Sequence, residues 1–96
     1  MSNLKEILNS EENVLINFHA QWCGPCSTLD PILKSVKDEL GDIIRIVKID
    51  VDKHKYLASK MGVRGVPTMF FYKNGKMLKL LSGVLTASEI KKQFNL

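Results

Sequence analysis

The chain has 96 residues, 45% hydrophobic and 25% charged, with a formal net charge of +4, which fits one small soluble domain over residues 1–96 with little surplus stability. Its lysines are scattered rather than massed, which excludes a basic nucleic-acid arm and leaves solvated surface with weak steering toward acidic proteins. No apolar run approaches the roughly 20 residues that span a bilayer, so no membrane association is expected.

The first ten residues, Met-Ser-Asn-Leu-Lys-Glu-Ile-Leu-Asn-Ser, lack a basic segment followed by an apolar one and do not read as a secretory signal. A cytoplasmic location is expected unless a leader has been trimmed. Reducing conditions there disfavour a persistent structural disulfide.

Leu4, Ile7 and Leu8 have helical spacing and predict a short first helix over about residues 3–9. Val14 to Ala20 reads as a buried strand. A long helix follows over 25–40, with Cys26, Leu29, Leu33, Val36 and Leu40 on its apolar side. Ser27, Asp30, Lys34, Lys37 and Asp38 fall mostly on its wet side. Pro25 suits the first turn, Pro31 predicts a kink, and Gly41 ends the helix. Ile43 to Ile49 is a second strand, and a short helix over 53–61 stops at Gly62. Thr68 to Tyr72 and Met77 to Ser82 flank Asn74-Gly75, a strong hairpin signal. Thr86-Ala-Ser-Glu89 fits a capping box for a last helix through about Phe94. The order α-β-α-β-α-β-β-α predicts an α/β fold, a mixed four-stranded sheet flanked by four helices.

Both cysteines, Cys23 and Cys26, lie in Trp22-Cys-Gly-Pro-Cys26 between the first strand and the long helix. A structural zinc site takes four ligands, and one Cys pair with His19 and His54 on separate elements does not supply them, so no metal is expected. A disulfide closed over Gly24 and Pro25 alone removes little chain entropy and would staple weakly. A redox pair has a mechanism. Cys23 sits beside the unpaired N–H groups of a helix start, where the dipole favours a thiolate. Cys26, one turn on and expected to be more buried, is placed to resolve a mixed disulfide formed by Cys23.

These residues resemble the active site of thioredoxins. The likeness extends through Pro31, Lys48, Gly62-Val-Arg-Gly-Val-Pro-Thr68, Asn74-Gly75 and Gly83, from about Val14 to the end of the chain. The resemblance implies the thioredoxin fold, with Cys23 attacking a substrate disulfide and Cys26 releasing the reduced product. It implies a cis Val66–Pro67 bond facing the sulfurs, against the bland alternative of a trans strand-start proline. Trp22, Val66, Pro67 and Gly83 would then border a shallow apolar surface for protein substrates. Partial core packing of Trp22 and simple strand termination by Gly83 remain alternatives.

Three positions depart from the family pattern. Only thirteen residues precede Val14, so the first strand usual in the family is expected to be missing and the exposed sheet edge to be short or covered. Asn17 stands where thioredoxins carry a buried aspartate beneath the second cysteine, paired with the lysine matching Lys48. That carboxylate is a general base, which Asn cannot be. Slower exchange at Cys26 is one consequence; a satisfied core amide with no catalytic effect is the other. Lys48, with at least its stem buried, would snorkel to water or bond the Asn17 carbonyl oxygen. His19 replaces a common aromatic. It either stabilises the Cys23 thiolate when charged or fills space under the active-site loop.

The resemblance implies a protein-disulfide reductase with no bound cofactor beyond its Cys23–Cys26 disulfide. It would be monomeric, act on disulfide-containing proteins and be recycled by an NADPH-dependent thioredoxin reductase. Gly-Pro between the cysteines is the dipeptide usual in reducing members. A thioredoxin-fold binding or chaperone subunit with weak turnover, and a disulfide isomerase or oxidase, are the alternatives.

Overall fold

Periodicity and turn chemistry divide the chain much as the sequence predicts in the computed structural model, which describes residues 4–96. The elements are α1 (Leu4–Ser10), β1 (Asn13–His19), α2 (Gly24–Leu40), a 3-10 turn (Gly41–Ile43), β2 (Ile44–Asp50), α3 (Lys55–Lys60), β3 (Thr68–Lys73), β4 (Lys76–Ser82) and α4 (Ala87–Gln93). The 3-10 turn has no counterpart in the sequence reading. Helix α3 is shorter than expected, because residues 51–53 form a turn before it.

Among the described residues the sheet has four strands, ordered β2-β1-β3-β4. β1 runs parallel to β2 and antiparallel to β3, and β3 pairs antiparallel with β4. The mixed sheet follows from its connections. A crossover helix joins β1 to β2, whereas β3 turns directly into β4 at Asn74 (φ 52°) and Gly75 (φ 82°). Positive φ at both central residues matches the right-handed twist of the strands. Both edge strands, β2 and β4, are seven residues long, so the open edges are not short. Arg45 and Lys48 on β2, with Lys76 and Lys79 on β4, supply the charge that discourages edge-to-edge pairing.

Alternation along β1 divides the core. Leu15 joins Leu29, Leu33, Val36, Met69, Phe71, Ile90 and Phe94 beneath α2 and α4. Val14, Ile16 and Phe18 face the other way and pack with Leu4, Ala58 and Phe70. Asn17 has the parity of Leu15, so its amide enters the α2 side of the sheet. Helix α2 continues through Pro31 to Leu40, and Gly41 (φ 56°) ends it. Lys37 Nζ donates to the carbonyls of Gly41 and Ile44, both at 2.8 Å, and ties the end of α2 to the start of β2. The expected capping box holds α4: Glu89 N–H donates to Thr86 Oγ1 at 3.1 Å, and Thr86 N–H donates to Glu89 Oε1 at 2.9 Å.

Candidate active site

Cys23 is the N-cap of α2, with extended backbone angles (φ −90°, ψ 112°). The helix then turns at once, which brings the two Cα atoms to 5.3 Å and lets Cys23 and Cys26 bond as a disulfide. Cys26 N–H donates to Cys23 Sγ at 3.2 Å, and Ser27 N–H donates to the Cys23 carbonyl at 3.3 Å. Burial separates the sulfurs less than expected, since Cys23 is 4% exposed and Cys26 2%. The asymmetry lies in hydrogen bonding instead. Cys23 Sγ takes an N–H of the helix start, which is how a thiolate there would be held. Gly24 and Pro25 are exposed, so the loop side of the disulfide faces solvent.

The Val66–Pro67 peptide bond is cis, as the resemblance implies. The Val66 carbonyl oxygen lies 3.6 Å from Cys23 Sγ, and Val66 packs with Ala20, Cys23 and Cys26. Gly83 N–H donates to the Pro67 carbonyl at 3.0 Å, with Gly83 at φ +93°. This glycine therefore ends β4 and also borders the cis proline. Trp22 is 72% exposed, so it is not core packing. Its indole N–H donates to Asp52 Oδ2 at 2.8 Å, and Asp52 N–H in turn donates to Asp50 Oδ1 at 2.8 Å. Beside the indole lies a small open cavity of about 140 Å³, lined by Trp22, Val51, Ala58, Val63 and Val66 among others.

Asn17 is fully buried, and neither its Oδ1 nor its Nδ2 has a hydrogen-bond partner. Lys48 is its register partner on β2, but the expected contact between the two is not made. Lys48 Nζ goes to Asp30 Oδ1 at 3.0 Å instead, and both side chains are 45% exposed. The ammonium approaches off hydrogen-bond alignment, so the contact is an ion pair. A carboxylate attracts an ammonium more strongly than an amide does, and the lysine stem is long enough to choose. Asp30 therefore stands at the border of the wet side of α2 rather than fully in it. It is half-buried, with Oδ1 sealed from solvent. His19 ends β1 half-buried and in register with Asp50, outside the hydrogen bonds described above. Sequence reasoning missed Asp30 and Asp52 as members of the site. The available signal for Asp30 was its position four residues after Cys26, one turn along the same helix face. Among the described residues no group of three or more His, Cys, Asp or Glu side chains could hold a metal ion.

A disulfide at a helix start, a cis proline against its outer sulfur and a mixed sheet beneath define a dithiol domain of the thioredoxin fold. The Thioredoxin family profile matches residues 2–95, and the chain belongs to that family. It is 41% identical over 93 residues to thioredoxin Y, chloroplastic, of Oryza sativa subsp. japonica, covering 96% of this chain and 55% of that protein. The chain thus spans only part of the length of the chloroplast relatives it matches, 55%, 49% and 49%. A thioredoxin of Chlorobaculum thiosulfatiphilum is 37% identical over 90 residues, covering 94% of this chain and 83% of that protein. The oxidised mitochondrial thioredoxin 3 of Saccharomyces cerevisiae superposes with a TM-score of 0.87 at 27% identity, covering 99% of this chain and 89% of that structure.

Proposed function

We propose that the domain reduces protein disulfides by thiol–disulfide exchange. The observation that carries this reading is the donation from Cys26 N–H to Cys23 Sγ at the start of α2. It stabilises charge on the outer sulfur of a pair already close enough to bond. The Cys23 thiolate attacks one sulfur of the substrate disulfide, and the other leaves as a thiol. Cys26 then attacks Cys23 in the mixed disulfide, releases the second substrate thiol and leaves the Cys23–Cys26 disulfide.

Gly24 and Pro25 open the approach to the sulfurs, while Trp22, Val66, Pro67 and Gly83 form the rim on which a disulfide-containing protein docks. Turnover requires that the domain be reduced again, and a flavin-dependent thioredoxin reductase using NADPH is the proposed donor. The chain carries no glycine-rich dinucleotide fingerprint of its own. We place the activity in a monomer in a reducing compartment, the cytoplasm. Chloroplastic relatives make the compartment a matter for direct localisation of the native protein.

Insulin reduction with dithiothreitol as donor tests the activity. The protein should accelerate insulin precipitation and the Cys23→Ser variant should not. Equal rates would overturn the reading in favour of a binding module. Equilibration in glutathione buffers decides direction: a reductase stays largely oxidised where an oxidase would already be reduced.

A further inference from the structure

On that reading Cys26 must shed a proton before it can resolve the mixed disulfide, yet it is buried at 2% exposure. Asn17, the β1 residue in register with Lys48, cannot accept it. Its two polar atoms are sealed and unpartnered on the α2 side of the sheet. A third sealed polar atom, Asp30 Oδ1, belongs to the same corner. It is tied to Lys48, the strand neighbour of Asn17, and its residue stands one helical turn after Cys26. Side chains four apart on a helix have Cβ atoms about 5–6 Å apart, within reach through a single water.

We propose that Asp30, held by Lys48, is the proton acceptor for Cys26 and does from α2 what no carboxylate on β1 can do. The Cys26 thiol gives its proton to the Asp30 carboxylate, directly or through one water that the Asn17 amide is placed to bind. The resulting thiolate attacks Cys23 Sγ and forms the Cys23–Cys26 bond. The Cys23–substrate bond breaks, its electron pair leaves on the substrate sulfur, and that thiolate takes up a proton from the protonated Asp30 or from solvent.

The other charged or titratable groups around the corner are Lys34 and Lys37 from α2, Lys48 from β2, and His19 of β1 with its register partner Asp50. Among the carboxylates, Asp50 ends β2 two residues after Lys48, in register with His19, and its Oδ1 accepts from the Asp52 N–H, so Asp50→Asn is the control beside His19→Gln. His19 is the competing base, because it shares the Asn17 face of β1.

Stopped-flow reaction of the reduced protein with a chromogenic aromatic disulfide separates the steps. The first coloured thiol reports attack by Cys23 and the second reports resolution by Cys26. Asp30→Asn should leave the first phase within about twofold and slow the second about tenfold near neutral pH, flattening its pH profile. Asp30→Glu should restore the profile, which a purely structural role would not. Little difference between Asp30→Asn and the parent in the second phase from about pH 6 to pH 9 would overturn the proposal. So would a profile abolished by His19→Gln or Asp50→Asn instead. Absence of the first phase would count against the reductase reading itself, a result distinct from a first phase followed by unaltered resolution.

Discussion

Lys48 on β2 and Asp30 on α2 form an ion pair of 3.0 Å, reaching over the edge of the sheet beside Asn17. The lysine is half exposed, so the costly case of an unpartnered buried ammonium does not arise. The pairing also holds an acidic side chain of the redox helix against the sheet edge, one helical turn after the second cysteine.

The pair should add little to stability. Charges this exposed are screened, and a double-mutant cycle of Asp30→Asn with Lys48→Met should give a coupling of about 1 kcal/mol or less by urea unfolding. It should shrink further in high salt. A coupling of roughly 3–5 kcal/mol would mean that the pair behaves as fully buried.

Glu89 gives the fold one predictable acid response. The Thr86 backbone N–H and then the Thr86 hydroxyl hold its carboxyl below the ordinary carboxylate range, with Lys92 adding to the effect. A carboxylate lowered in the folded state stabilises above its unfolded value. That contribution fades as pH falls from the ordinary carboxylate range through the lowered folded value. Because Glu89 is fully exposed, the effect is small. Glu89→Gln should flatten that acidic limb of a stability-against-pH curve and leave the neutral region little changed; an unaltered limb would show the box is not holding a charge.

Gly83 should resist any side chain. Nothing lies within 4 Å of where its Cβ would stand, so the objection is not crowding. Its φ of +93° is one that L-residues rarely adopt, and holding Ala there costs about 1–3 kcal/mol. Thermal unfolding of Gly83→Ala checks this. If the backbone relaxes instead, the bond to the Pro67 carbonyl is disturbed and insulin reduction should fall with it.

Trp22 should matter to substrates more than to folding. At 72% exposure its ring buries little, so Trp22→Ala should change stability by less than about 1 kcal/mol. A docking ring would show itself as a raised KM for insulin with a smaller change in kcat. A large loss of stability with unchanged KM would refute the docking role.

The site was only partly legible in the residues. A strand, two cysteines and a helix in immediate succession leave few ways to arrange the sulfurs, because backbone geometry over four residues is local. The same holds for the Asn74-Gly75 hairpin and the Thr86-to-Glu89 cap. Side-chain partners across elements were less readable. The resemblance matches Lys48 with Asn17, and the two do lie in register on β2 and β1. The ammonium nevertheless left its strand neighbour for a helix residue. Helical periodicity assigned Asp30 to the wet side, since a wheel counts angles around one helix and cannot see where the sheet edge stops. The polar edge of α2 overhangs β2 there, where a long cationic side chain can reach it.

The elements, their order and the redox pair at a helix start are set along the chain. All of these depend on local conformational preference and on burial patterns repeating every two or three to four residues. Packing between elements settles that Asn17 is sealed without a partner, that Trp22 stands in solvent against Asp52, and that Lys48 belongs to Asp30. Those choices are made where separate elements meet, by distance and by competition between charge and solvent, and no periodicity within one element encodes them.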